Sequence, residues 1–149
     1  MIEIPTSADV FPVVFDEKIR FSDTDRQGHV NNVCFSFFYE AGRAAVVLDQ
    51  EGLLDPDCFF VIVSTTINFV GELHYPGTVA VAGGIERVGR SSISVRQALF
   101  QDGRCVSHSF STMAQVNMLT RKSQTLSESA RKIFTGLTLS GTETHQSRS

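Results

Sequence analysis

The sequence predicts an α+β domain in which a curved, mostly antiparallel sheet of five strands wraps around one long central helix. Three observations predict it. The elements follow in the order β–α–β–β–β–β, the stretch after residue 31 is apolar on nearly every face of a helix, and residues 59–117 are rich in β-branched and aromatic positions punctuated by turns. A helix apolar all round has to be surrounded by other protein. A single sheet can surround it only by curling, and a curled sheet keeps an open edge that favours pairing with a second copy.

Residues 10–22 (VFPVVFDEKIRFS) read as extended, with alternation clearest from Lys18 to Phe21. A polar turn containing Gly28 follows at 23–28. Asn31 or Asn32 then supplies a helix N-cap, because a short side-chain oxygen can accept from unpaired N–H groups of the first turn. The helix is expected from about 32 to about 51, stopping at Gly52 with Pro56 beyond. Its one polar stripe is Ser36, Glu40 and Arg43. The stripe reads either as a solvated edge with a Glu40–Arg43 pair or as a face lining a site or a subunit contact.

Residues 59–70 and 78–88 read as strands, and Gly83–Gly84 suggests a bulge or bend in the second. Residues 91–100 and 104–117 are joined across Asp102–Gly103, a strong hairpin signal. Residues 124–135 form a short amphipathic C-terminal helix. Residues 1–135 are therefore expected to be a single domain, and the Ser/Thr-rich stretch 136–149 a disordered tail.

Composition narrows the function classes. A chain of 149 residues can bury a real core, and its net charge of −3 comes without the basic stripe of a nucleic-acid binder. Cys34, Cys58 and Cys105 share no CxxC spacing, so free thiols in a reducing cytoplasm are expected rather than disulfides or a zinc site. The N-terminus lacks the basic and apolar regions of a signal peptide. Residues 33–48 are apolar enough to suggest a membrane span, but they are too few. Glu40 and Arg43 in the middle would also cost about 2.5–3.5 kcal/mol each. No membrane partner is expected.

The segment DTDRQGHVNN, Asp23 to Asn32, carries the chemistry. Two carboxylates, a histidine and two asparagines occupy the turn that delivers a strand into the start of a buried helix. The first N–H groups of a helix are unpaired and electropositive, and can hold a developing oxyanion. A carboxylate a few residues upstream can attack a carbonyl or activate water. Those are the parts that thioester hydrolysis needs. The same string mimics a calcium loop, but position 12, which should be a bidentate Glu, is Cys34, and the preceding segment is extended.

The segment FSDTDRQGHVNNVCFSFFYEAGR resembles the signature of the 4-hydroxybenzoyl-CoA thioesterase-like family of hot-dog-fold acyl-CoA thioesterases. INFVGELHYPGTVAV and VGRSSISVRQALF resemble later strands of that family, so that the resemblance spans roughly residues 12–120. It implies an acyl-CoA substrate, no metal and no organic cofactor, and a homodimer or homotetramer with active sites at the subunit interface. The family's catalytic aspartate falls on Asp25, with Asp23 in a structural or hydrogen-bonding role. The N–H that polarises the thioester carbonyl falls near Asn32, beside Val33. His29 could orient substrate or water, or simply bond the turn. Arg87, Arg90, Ser91 and Ser92 fall where family members contact CoA phosphates and pantetheine, although a solvated strand end would look the same. His74 and His108 are expected to take no part.

Asp25 would either form a mixed anhydride with the acyl group or act as general base on water; the sequence leaves both open. Phe35, Phe37, Phe38, Phe59, Phe60 and Phe69 could line an acyl or aryl pocket, but most are expected simply to be core. Two other classes fit the fold: a hydratase or dehydratase, and an acyl-CoA binding module without turnover. The DxxGHVNN run favours the hydrolase.

Overall fold

The computed structural model describes residues 3–48 and 50–140. β1 (Val13–Lys18) leads through a loop to α1 (Asn32–Val47). β2 (Cys58–Phe69), β3 (Thr78–Val88), β4 (Ser92–Gln101), β5 (Arg104–Asn117) and α2 (Glu128–Thr135) follow. The five strands make one sheet in the order β1-β3-β4-β5-β2, and every neighbouring pair is antiparallel. α1 lies across β1, β3 and β4, leaving β2 at an edge and beside no other strand than β5.

Close approach of helix to sheet depends on small residues. A Cβ on Gly42 of α1 would stand 2.5 Å from Gln97 Nε2 and 2.8 Å from Val81 Cγ1. Without one, Gln97 reaches the helix backbone and donates from Nε2 to Tyr39 O at 2.9 Å. Gly83 serves the same end and Gly84 admits Pro12 and Leu137 on the opposite face, and neither forms the expected bulge. A Cβ on Gly83 would crowd Val46, and one on Gly84 would press on Pro12 across the sheet. The register shift of β3 against β4 falls two residues later, between Ile85 and Arg87. Asp102 and Gly103 close the β4–β5 hairpin with φ of 51° and 76°, the conformation that tight two-residue hairpins require.

Two element ends differ from expectation. β1 stops at Lys18 because Asp23 captures the backbone of Arg20, its Oδ2 accepting from Arg20 N at 2.8 Å, and the chain turns through a 3-10 helix at Phe21–Asp23. α1 ends at Val47, capped by Leu48, and Gly52 takes a φ of +83° further on.

The core has three parts. One, with Ile19, Val30, Phe35 and Tyr39 against Leu73, Val79 and Leu99, lies under the first half of α1. A second joins Val46, Val47 and Leu53 to Ile93, Val95 and to Ala130 and Phe134 of α2. A third, Phe11, Ala82, Ala98, Phe100 and Leu139, covers the other side of the sheet. Leu139 belongs to the stretch expected as a free tail. Residues 136–140 are in fact held: Ile85 N donates to Leu137 O at 2.8 Å, and Ser140 N to Val10 O at 3.0 Å. The rest of that stretch, 141–149, lies outside the described residues.

The expectation that α1 is surrounded needs correcting for the single chain. Val33 is 66% exposed, Phe37 60% and Leu48 62%, a stripe along one side of the helix. Phe59, Val61, Ile62, Val63 and Phe69 of β2 are exposed as well. The sheet covers α1 from one side only: Tyr39 reaches Ser107 of β5 and Phe35 meets Phe69 of β2, while the opposite side of the helix carries the exposed stripe. No helix among the described residues is long and apolar enough to cross a membrane.

Candidate active site

The loop between β1 and α1 is a small hairpin closed by the Thr24–Val30 bridge. Asp25 N donates to His29 O at 3.1 Å and Gly28 N to Asp25 O at 3.1 Å; Gly28 supplies the positive φ, +84°, that the turn demands. Val30 anchors the base, fully buried, with its N–H on Leu73 O at 2.9 Å. The loop is therefore stitched to the chain beyond β2 as well as to α1.

Asp23 and Asp25 have separate duties. Asp23 is buried and its carboxylate is spent on Arg20, holding the backbone N–H and meeting the guanidinium at 3.1 Å. Its carbonyl accepts from Asn31 N at 2.8 Å and from the Cys34 thiol at 3.7 Å, fixing where α1 begins. Burial, followed by the Asp23 charge, pushes the Cys34 thiol pKa up, which makes it a poor nucleophile at neutral pH. Asp25 is half-exposed. Its Oδ1 accepts from Gln27 N at 2.9 Å, and among the described residues its Oδ2 has no partner.

The start of α1 leaves one donor over. Asn31 is the N-cap: its Oδ1 takes Val33 N at 3.0 Å, and its carbonyl takes Cys34 N at 2.8 Å. Among the described residues Asn32 N–H alone of these first three helical N–H groups has no acceptor. It lies at an exposed position where the partial positive charge of the helix is greatest. Asp25, His29, Asn32 and Val33 are thus gathered in one loop and the helix turn it feeds.

His29 is held through one ring nitrogen. Nδ1 is 3.1 Å from Val30 O, and since a carbonyl only accepts, Nδ1 carries the proton. Nε2 faces Glu72 Oε1 at 3.8 Å, and the other oxygen of Glu72 is 3.6 Å from His74 Nε2. Sequence reasoning passed over Glu72, which is 43 positions from His29. Only the stitching of Val30 to Leu73 brings the two together.

Arg87, Arg90, Ser91 and Ser92 sit elsewhere. They form the β3–β4 turn, packed on the α2 side: Leu126 N and an Arg131 Nη donate to Arg90 O, and Gln115 N donates to Ser91 O. β3 runs from the loop end of the domain at Thr78 to this turn, so its length, roughly 30 Å, separates the two groups within one chain. His108 is buried on the sheet face away from α1, edge-on to Phe110. Of the six phenylalanines considered for a pocket, Phe35 and Phe38 are buried, whereas Phe37, Phe59 and Phe69 are exposed.

Comparison with known proteins places this architecture. The thioesterase superfamily model matches residues 27–106, from the last part of the loop, after Asp25, through α1, β2, β3 and β4 into β5. The chain belongs to the thioesterase superfamily; it is a thioester hydrolase with the hot-dog fold. A predicted thioesterase from Bacillus stearothermophilus is 25% identical, with a TM-score of 0.77 over 84% of this chain and 95% of that one. A protein from Pseudomonas aeruginosa shares the fold at a TM-score of 0.80 and 20% identity, covering 91% of this chain and 98% of that one. The DHNA-CoA thioesterase from Staphylococcus aureus shares it at 0.65 and 16% identity, over 75% and 78% of the two chains. No curated protein matches the chain significantly.

Proposed function

We propose that this protein hydrolyses acyl-CoA thioesters, with Asp25 as its catalytic carboxylate and Asn32 N–H as the donor to the thioester oxygen. The observation that carries the reading is the pairing of a carboxylate oxygen and a helix N–H, both without partners among the described residues, at the two ends of one tight loop. Asp23, the Asn31 Oδ1 and the backbone of Asp25, Gly28 and Val30 are by contrast engaged in holding the loop's shape. The thioester carbonyl would lie against the helix start beside Val33, its oxygen on Asn32 N–H, with Asp25 attacking the carbon or drawing a proton from water. His29, fixed by Val30 O, would present Nε2 toward substrate or water.

The working unit is a homodimer, or a homotetramer built from it, in the cytoplasm. Support comes from the long apolar edge strand β2 and from the bare stripe on α1. Antiparallel pairing of two β2 edges about a two-fold axis would reverse one chain against the other. The β3–β4 turn of one protomer, with Arg87, Arg90, Ser91 and Ser92, would then approach the helix start of its partner, where cationic side chains could meet the CoA phosphates.

Free-thiol release from a panel of acyl-CoAs tests the reading. Asp25→Asn is expected to fall by about 10²–10⁴ in kcat with the fold intact. An Asp25→Asn protein that folds and turns over at the wild-type rate would remove Asp25 from the reaction.

A further inference from the structure

The second helix, α2, lies beyond the residues that the superfamily model matches, and it bears on the β3–β4 turn through one arginine. The carbonyl of Arg90 in that turn accepts from Leu126 N at 2.9 Å and from Arg131 Nη2 at 3.2 Å. The Arg90 side chain comes back onto the same stretch, its Nε 3.4 Å from Thr125 Oγ1. The turn itself is tight. Gly89 N donates to Ser92 O at 2.7 Å, and a Cβ on Gly89 would stand 2.8 Å from Ser92 Oγ. Both arginine side chains are thus anchored at one junction by neutral oxygens, which orient them without cancelling their charge. Among the described residues neither makes an ion pair. Glu86 on β3 and Glu128 in the first turn of α2, the nearest acids along the chain, are exposed and pair with neither. Arg90 is exposed and Arg131 half-buried, so both stay open to an anion. Like charges held at one place repel, and a doubly charged phosphate relieves the repulsion with hydrogen bonds that suit guanidinium geometry.

We propose that Arg131 of α2 joins Arg90 in clamping a doubly charged phosphate group of the CoA nucleotide, and that this clamp makes the enzyme prefer CoA thioesters to those of pantetheine without the nucleotide. The inference rests on the thioesterase reading and on the β3–β4 turn serving the partner's substrate, and it specifies what carries the acyl group. A CoA thioester brings a 3′-phosphate monoester and a diphosphate. A thioester on a carrier protein brings one phosphodiester with a single charge, and a pantetheine thioester brings none. Only the first matches two arginines in charge. The nucleotide is remote from the reacting carbonyl, so the clamp holds ground state and transition state alike. It therefore acts on KM rather than kcat.

The test measures thiol release from one acyl group carried on CoA, on 3′-dephospho-CoA and on pantetheine, in wild type, Arg131→Gln, Arg131→Lys and Arg90→Gln. The wild type should favour the CoA thioester over the pantetheine thioester by about tenfold or more in kcat/KM. Arg131→Gln should raise KM for the CoA thioester by about five- to tenfold with kcat unchanged, and leave the pantetheine thioester as it was. Arg131→Lys should keep part of the preference. A wild type that already loses its preference with 3′-dephospho-CoA has the 3′-phosphate in the clamp; one that keeps it has the diphosphate there. Absence of any preference for CoA in the wild type overturns the inference. So does an Arg131→Gln protein that loses all three thioesters alike, since that would make the arginine only a strut for the turn. An Arg90→Gln protein that loses the preference while Arg131→Gln keeps it also overturns it. If neither arginine matters, the placement of the β3–β4 turn against substrate falls as well. If no thioester is turned over by the wild type, it is the thioesterase reading itself that fails.

Discussion

The two ends of α1 are built on opposite principles. At the start, the chain supplies its own partners: Asn31 caps the helix, Asp23 ties down Arg20 and accepts Asn31 N, and Val30 is bonded to Leu73. Among the described residues Asp25 Oδ2 and Asn32 N–H are left without partners, and their position makes them candidates for chemistry. At the other end the chain leaves much undone. Leu48 is exposed, Arg43 pairs with no acid among the described residues, and a cavity of about 210 Å³ lined by Glu40, Arg43, Phe60 and Ile62 lies beside the edge strand. The first end is preorganised by local sequence, and the second waits for substrate or a second chain. On the proposed reading, the preorganised end is the one that would hold the reacting atoms, where fixed geometry matters most.

The largest effect that could break this comparison lies within the first end. Asp25→Asn should lose about 10²–10⁴ in kcat while melting as the wild type does. Asp23→Asn should do the reverse, keeping most activity in the folded fraction while losing about 1–2 kcal/mol in urea unfolding, because its carboxylate caps Arg20 N. Equal kinetic losses at both positions would erase the distinction between them. Next comes the unfinished end. Val63→Lys on the β2 edge should yield monomers by light scattering, and with them a loss of most activity; an active monomer would show that one chain completes the site.

Between the two ends, Gly42→Ala forces a methyl group against Gln97 and Val81 and should cost about 1–3 kcal/mol in denaturant unfolding. A neutral outcome would mean that α1 can ride away from the sheet. The smallest effect belongs to His108, distant from both ends. Burial, then the Arg96 charge, lowers its pKa below 6.5. As pH falls through 6.5 the unfolded chain binds this proton first, so stability is lost from there down to the folded value. Between about pH 7.5 and pH 5 the wild type should therefore lose more stability than His108→Phe, as read by urea unfolding.

Much of this was legible in the sequence, for physical reasons. Strand positions and the Asp102–Gly103 hairpin follow from local preference, and the helix start from the capping geometry of Asn31. The motif Asp25 to Asn32 is readable because its parts are within one loop, where spacing alone fixes geometry. Hydrophobicity by itself misplaced Phe37 and Val33, since an apolar residue facing a partner or substrate looks the same in sequence as one facing the core. Glycine pairs were ambiguous in the same way: Gly83–Gly84 answers to Val46 and Pro12, not to a bulge.

The sequence by itself determined the fold class, the order of elements and the loop in which a carboxylate meets a helix start. Only the tertiary structure decided that Asp23 is occupied by Arg20 while Asp25 is spare, that Glu72 faces His29, and that Val33 and Phe37 of α1 stay exposed on the single chain. Local elements are set by neighbours a few residues apart, whereas hydrogen-bond partners and burial depend on which distant strands close around them.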